Sequence, residues 1–356
     1  MISKVIIRCW TFNHRPYIRQ CLDGFVMQKT NFPFTAIVVD DASTDNEQDA
    51  LWDYINFELD EASIQKEETD NYVSIASHHK TNKNCTFVIM FLKYNHYSTR
   101  KNKRPYIAKW EENAEYIATC EGDDYWIDPH KLQKQVDILD SHPDYTMTCN
   151  KTMFYSERRK KYIGENYCYK KSQIVHTKDV IYRTGLFIST CSYIYRKSIV
   201  DDIPDYWAKC LVGDYPLQIM CAMKGKIYYF NDIMSVYRVE NPNSWMGKQK
   251  WGSIDEKRMA VIESQINMFK GFRQDFPKHR KYFDKKIANH INRFIPSKLS
   301  DQEINKYLDH FREDIKNYSL WQKFDLWMCK QRMPRVKYIY KRLFQSQYLE
   351  RKKRYK

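Results

Sequence analysis

Three carboxylates, Glu121, Asp123 and Asp124, end a short apolar run at residues 116–119. The run Tyr116, Ile117, Ala118, Thr119 suits a covered strand, whereas carboxylates cannot be buried there without a partner of opposite charge. Oxygen ligands gathered at one point suit a hard divalent cation, Mg²⁺ or Mn²⁺, which shares its shell with water and a substrate phosphate. The plain alternative is a solvated acidic turn. Asp128-Pro129 then reads as a helix start, with Leu132, Val136 and Leu139 at helical spacing behind it. Strand, acidic turn and helix in that order is how α/β proteins place ligand chemistry at the carboxyl end of a strand.

The elements that must position this cluster begin at residue 5. Val5, Ile6 and Ile7 form a strand, and the polar turn Thr11-Phe12-Asn13-His14-Arg15 breaks it. Pro16 opens a helix with Ile18, Cys21, Leu22, Phe25 and Val26 on one face, and a second strand covers residues 34–39. This is a right-handed, parallel β-α-β unit. Its second strand also ends in acids, Asp40 and Asp41, which suit either a cap for the next helix or acceptors for a base imino group or ribose hydroxyl. Residues 45–83 read as helix and then loop, and residues 85–92 as another strand. The loop that follows, residues 93–104, is basic and aromatic; Lys101 and its neighbours could neutralise a pyrophosphate or simply face solvent.

Further strands are expected at residues 145–150, 152–155, 188–195, 227–230 and 234–239, with a short helix at 107–114. Asp214 stands at the start of a helix, where an ionised carboxylate caps well; as a general base it would need an acceptor hydroxyl in reach. From Trp251 the pattern is helical, with Met259, Ile262, Ile266 and Phe269 on one stripe. Near the C-terminus Val336, Ile339, Tyr340, Leu343 and Phe344 share a face ringed by Arg335, Lys337, Lys341 and Arg342. Such a helix suits an anionic membrane surface or packing on its own domain.

Length and composition exclude several classes. A chain of 356 residues with 43% hydrophobic residues can fill one large core or two ordinary ones. Only 9 glycines argue against a Gly-rich phosphate loop. The formal charge of +15 is uneven, acidic over residues 45–70 and basic from residue 278 onward, which suggests an anionic partner for the C-terminal part. The 10 cysteines contain no C-x-x-C pair and fall in apolar patterns, so reduced core packing is expected rather than zinc or disulfides. No window reads as a signal peptide or a membrane span, and a cytoplasmic protein, on the inner membrane face if its basic end binds lipid, is the expectation.

Taken in order, VDDASTD, CEGDDYWIDPHKL, GDYPL and YRVEN resemble the inverting family-two glycosyltransferases of the GT-A fold, over residues 1–245. CEGDDYWIDPHKLQKQ is similar to a bacterial subgroup that builds surface polysaccharides. The resemblance implies an α/β fold, a mostly parallel sheet flanked by helices, as residues 1–245, with a basic helical C-terminal region as residues 246–356. It implies that Thr11, Phe12 and Asn13 contact the nucleotide, with Asp41 on a uracil ring and Glu121 in an acidic metal and ribose motif; Asp40 and Lys101 join the candidate sugar-nucleotide residues on the reading of their own segments. Asp123 and Asp124 would hold Mn²⁺ or Mg²⁺ and Asp214 would be the general base. Glu240 stands where the family often has histidine and is a third candidate metal ligand. The implied partners are a nucleotide-diphospho-sugar, with UDP the expected carrier, and a glycan or lipid-linked acceptor, with no nucleic acid. A sugar nucleotidyltransferase is the rival enzyme, but Cys9–Arg15 lacks its glycine-rich loop. A non-catalytic nucleic-acid or glycan binding module is the rival of another class.

Overall fold

The computed structural model describes residues 3–240, 256–295 and 300–331. The chain runs β1 (Val5–Thr11), α1 (Arg15–Val26), β2 (Phe34–Asp40), α2 (Glu47–Glu58), β3 (Gln65–Glu68), β4 (Tyr72–His78), β5 (Cys85–Leu92), α3 (Arg104–Glu111), β6 (Tyr116–Thr119), β7 (Tyr125–Trp126), α4 (Lys131–Ser141), β8 (Tyr145–Ser156), β9 (Lys161–Asn166), β10 (Gln173–Ile174) and α5 (Thr177–Tyr182). There follow β11 (Ile194–Arg196), α6 (Asp205–Ala208), α7 (Asp214–Lys224), β12 (Lys226–Val239), α8 (Glu256–Asp275), α9 (Arg280–Arg293), α10 (Asp301–His310), α11 (Arg312–Lys316) and α12 (Leu320–Lys330). They form two compact units. The first comprises residues 1–176, 185–202 and 220–244; the second comprises 177–184, 203–219 and 245–356.

The first unit is built on a mixed sheet in the order β10-β12-β8-β11-β6-β1-β2-β5-β4-β3. Its centre is parallel: β1 pairs with both β2 and β6, and β2 with β5. Because β1 and β2 are buried on both faces, they read as unbroken apolar runs rather than as alternation. Val5, Ile7 and Cys9 pack with α1 and α2 residues on one face, while Ile6 joins Ile37, Val88 and Ile107 on the other. Across that second face Arg8 makes a buried two-pronged pair with Glu111, at 2.5 and 2.7 Å.

Several elements depart from the sequence expectation. Residues 65–78 are a hairpin at the sheet edge rather than loop. Expected strand pairs merge into continuous β8 and β12, the latter kept in one piece by register shifts near Phe230 and Ile233. Of residues 188–195, only the last two lie in a strand, β11. The carbonyls of Thr190, Cys191 and Ser192 are taken instead by Thr119 Oγ1, Trp126 Nε1 and Gln135 Nε2. Helix α4 starts at Lys131, after a turn in which Asp128 Oδ1 accepts from the His130 amide. Pro129 thus precedes the helix instead of opening it. Residues 177–184 and 203–219, expected with the first domain, cluster with the C-terminal helices.

In the second unit the Tyr215 hydroxyl donates to the Ile181 carbonyl at 2.5 Å, and its ring meets Phe269 edge-on. The Lys286 ammonium donates to the carbonyls of Tyr182 and Arg183. A Cβ at Gly271 would overlap the Tyr206 ring, which fixes α8 against α6. The basic face expected at residues 335–344 lies outside the described residues. Nine of the 10 cysteines are buried, and all are free thiols.

Lys131 is the least expected core residue. It is fully buried, with Nζ 2.6 Å from Gln135 Oε1 and 4.3 Å from the centre of the Trp126 ring. Burial pushes its ammonium down to about 8. Between that value and the ordinary lysine range the unfolded chain binds more protons than the folded one, so this group makes stability rise with pH there. Lys131→Met should therefore raise stability at neutral pH by about 1–2 kcal/mol and flatten that part of the profile. Chemical melts of the two chains from pH 7 upward check it, and parallel profiles would exclude the assignment.

Candidate functional site

The carboxyl ends of β1, β2 and β6 lie side by side, with Thr11 in register with Asp40. Each strand continues into a turn, and the turns are bonded to one another. The Asn13 amide donates to Ser43 Oγ at 2.8 Å, and Asn13 Oδ1 accepts from the Thr44 amide at 2.7 Å. Asn13 and Ala42 both hold positive φ, 59° and 58°, so the two turns are tightly formed. Glu47, buried at the start of α2, accepts from Thr11 Oγ1, from the His14 amide and from Ser43 Oγ.

The acidic turn closes over this platform. The Gly122 amide donates to the Trp10 carbonyl at 3.1 Å. A Cβ at residue 122 would overlap Thr11 Oγ1 and lie 2.7 Å from Thr11 Cβ. Only glycine lets the chain pass so close. His14 bridges the two turns, with Nδ1 3.2 Å from Thr11 Oγ1 and Nε2 3.8 Å from Asp123 Oδ2.

Asp124 is 1% exposed, and its Oδ1 accepts from the Arg238 amide at 2.8 Å while Oδ2 is buried without a protein donor. Burial, reinforced by neighbouring Asp123, raises its carboxyl well above the ordinary range. Burial likewise raises Asp40 and Glu47. This edge therefore carries several desolvated acids, an environment that favours a bound cation. Asp123 and Asp124 are a hard-oxygen donor pair that fits Mn²⁺ or Mg²⁺. Among the described residues no three His, Cys, Asp or Glu side chains gather as a complete metal site.

Arg238, at the end of β12, organises the turn from the other side. Its guanidinium donates to the Asp123 carbonyl and to Gln20 Oε1, and its Nε lies 2.8 Å from Glu157. Tyr17 and Tyr125 cover it, with ring centres 4.7 and 4.6 Å away.

The remaining sequence candidates are placed differently from one another. Asp40 accepts from the Ser43 amide and Gln48, and is wholly buried. Asp41 is 2% exposed and turned inward: His96 and Tyr97 amides donate to its two oxygens, and Lys103 Nζ sits 2.9 Å from Oδ2. It thereby folds the 95–103 loop over the end of β2. Lys101 is exposed on that loop beside Tyr94, Glu121 is exposed at the acidic turn, and Phe12 is half-buried. Glu240 is engaged by Arg158 at 2.8 Å, by Arg159 and by the Ser156 hydroxyl, which hold its carboxyl below the ordinary range. Asp214 belongs to the second unit, at the first turn of α7; it is half-buried, and desolvation raises its carboxyl. Gly122, His14, Glu47 and Arg238 escaped the sequence reading. Of these, only Gly122, a glycine between acids at a strand end, carried a local signal.

Residues 9–76 match the model of glycosyl transferase family 2. Over 271 residues the chain is 28% identical to Uncharacterized protein Rv1520 of Mycobacterium tuberculosis, spanning 74% of this chain and 68% of that protein. Uncharacterized protein Mb1547 of Mycobacterium bovis gives the same figures. S. aureus TarS 1-349, solved in complex with UDP-GlcNAc, superposes with a TM-score of 0.61 at 15% identity, over 92% of this chain and 88% of that one. Its complex with UDP gives 0.59 at 16% identity, over 92% and 87%. At such identities the likeness is one of fold.

Gly122→Ala should cost about 1–3 kcal/mol, because Thr11 and the turn backbone must separate, and Thr11→Gly in the same chain should restore part of the loss. Thermal unfolding of the three chains tests this; an unchanged melting temperature for Gly122→Ala would mean that the turns are not held together here.

Proposed function

On the premise that this chain is a glycosyltransferase of family 2 with a GT-A fold, we propose that it moves a sugar from a UDP-linked donor to a glycan or lipid-linked saccharide acceptor, with inversion, in surface polysaccharide synthesis. The observation that carries this reading is the buried Asp124 carboxylate beside Asp123, one oxygen left without a protein donor. A like fold that holds UDP and UDP-GlcNAc supports the choice of donor.

In this reading the turns after β1 and β2, bearing Thr11, Phe12, Asn13, Asp40 and Asp41, receive the nucleoside. Asp41 acts on it mainly by holding the 95–103 loop, and Lys101 on that loop meets the diphosphate. Glu121 takes the ribose. With Glu240 held by two arginines, Asp123 and Asp124 are the residues that would hold the cation. Bound Mn²⁺ or Mg²⁺ would supply positive charge against which the departing diphosphate is stabilised. Asp214 takes the proton from the acceptor hydroxyl as that oxygen attacks the anomeric carbon from the face opposite the leaving group. The raised carboxyl of Asp214 strengthens it as a base. One displacement, with no protein nucleophile, inverts the configuration.

A thermal-shift panel of nucleotide sugars with and without Mn²⁺ should show metal-dependent stabilisation by a UDP-sugar; no shift with any donor would exclude the reading. In Asp124→Asn that shift should vanish, while the metal-free chain melts at the same temperature or higher. The sign follows from the raised carboxyl: ionised Asp124 costs the fold stability from the ordinary carboxylate range upward, and the cost is relieved as pH falls. Protons and metal compete for this group, so the Mn²⁺ shift should grow as pH rises. Asp214→Asn should lose roughly 10²–10⁴-fold in turnover with the donor shift intact; near-parental turnover would remove Asp214 from the base role.

A further inference from the structure

The hairpin that joins β8 to β9 carries cations and aromatic rings next to the acidic turn. Tyr155 pairs with Tyr162 and Ser156 with Lys161 across it, so residues 157–160 make the whole turn. Glu157 is followed by Arg158, Arg159, Lys160 and Lys161. A run of charge in a loop is ordinarily solvated and unconstrained, but this one is held in place. Arg158 and Arg159 reach Glu240 at 2.8 and 3.6 Å, and Lys160 Nζ lies 2.6 Å from Glu157. The Arg159 amide donates to Ser156 Oγ, the Ser156 hydroxyl donates to Glu240, and Lys160 takes a φ of 51° to close the turn. The cations nevertheless face water: Arg158 is 67%, Arg159 53% and Lys160 70% exposed, and Lys161 is exposed beside them. Four cations against Glu157 and Glu240 leave an excess of positive charge at a fixed place.

The rings connect that charge to the acidic turn. Tyr162 is 52% exposed, and Tyr155 meets it edge-on with centroids 5.4 Å apart. The Tyr162 hydroxyl lies 3.1 Å from that of Tyr125, the residue that follows Asp124, and Tyr125 in turn covers the Arg238 guanidinium. A half-exposed tyrosine presents an apolar ring face with a polar tip, which suits the face of a sugar ring. Arginine and lysine beside it make charge-assisted bonds to carboxylate or phosphate oxygens. A neutral glycan would use the rings and leave the cations unmatched, and a bare polyanion would use the cations and leave the rings unmatched.

We propose that the β8–β9 hairpin is an acceptor platform for a saccharide chain bearing carboxylate or phosphate groups, with sugar rings on Tyr162 and Tyr155 and anionic groups on Arg158, Arg159, Lys160 and Lys161. The role as acceptor platform rests on the transfer reading above. Binding of the saccharide does not, and its test uses neither donor nor metal.

The full chain is titrated with polygalacturonate, with phosphorylated mannan, with neutral dextran, and with polyglutamate and oligo(dT) as polyanions that are not saccharides. An acidic saccharide is expected to bind more tightly than dextran, polyglutamate or oligo(dT), and the tighter of the two names the anionic group. Tyr162→Ala should weaken that binding about three- to tenfold, whereas Tyr162→Phe, which keeps the ring, should bind as the parent does. The double variant Arg159→Gln, Lys161→Gln should bind more weakly and with a flatter dependence on salt. Unchanged circular dichroism spectra establish that each variant is folded. Absence of binding by both acidic saccharides, or parental binding by Tyr162→Ala and by the double variant, would overturn the proposal. Polyglutamate or oligo(dT) binding as tightly as the acidic saccharides would overturn it in favour of attraction by charge alone or of a nucleic-acid surface. If an acidic saccharide binds while no nucleotide sugar stabilises the chain, the transfer reading and the acceptor role fail together and the hairpin is a glycan-binding surface alone.

Discussion

The Asp124 carboxylate is the group around which the first unit is arranged. It is buried next to a second carboxylate and receives one backbone donor, from Arg238. An ion in that position is tolerated only if its surroundings cannot relax away from it. The surroundings are accordingly fixed from three directions. Gly122 lies on Thr11, Arg238 is clamped by Glu157 between two tyrosine rings, and Trp126 is pressed against the backbone of α1 at Gly24. Behind Trp126 stands Lys131, a second desolvated charge with one amide partner. The fold spends stability on both sides of the acidic turn, as expected where an environment must be poised to receive a charged ligand.

The turns that surround this group are joined by side chains more than by ladder bonds. Asn13, Ser43, Glu47 and Asp41 each satisfy backbone amides belonging to a different turn. The edge thus has a rigid floor, with exposed Glu121 and Lys101 at its surface. Asp41 illustrates the arrangement. Its type suggests direct contact with a base, yet its oxygens are used within the protein to fold the neighbouring loop.

How much could be read in advance depends on the range of each interaction. β1, α1 and β2 are legible because their apolar periods are local, and the acids at strand ends are legible because a strand ending in carboxylates is a local pattern. The β3–β4 hairpin is not, since its exposed strand, Gln65–Glu68, carries no apolar alternation. Residues 190–192 are apolar or neutral enough for a strand, but side chains from three distant elements claim their carbonyls. Arg238 reads as an ordinary strand residue; its partners Glu157, Gln20 and Tyr17 are far off in sequence, and nothing in the local spacing shows that they meet. For the same reason Lys131 looks like the polar side of an amphipathic helix.

The second unit is assembled from three separated stretches of chain, so Asp214 reaches its final setting only after residues well beyond it have been made. Tyr215, the residue that follows it, is secured by Ile181 from before and Phe269 from after. On the ribosome the sheet of the first unit can therefore be complete while the helix bearing Asp214 still waits for α8 and α9. Changes in the C-terminal helices can therefore retune the setting of Asp214 without touching the sheet.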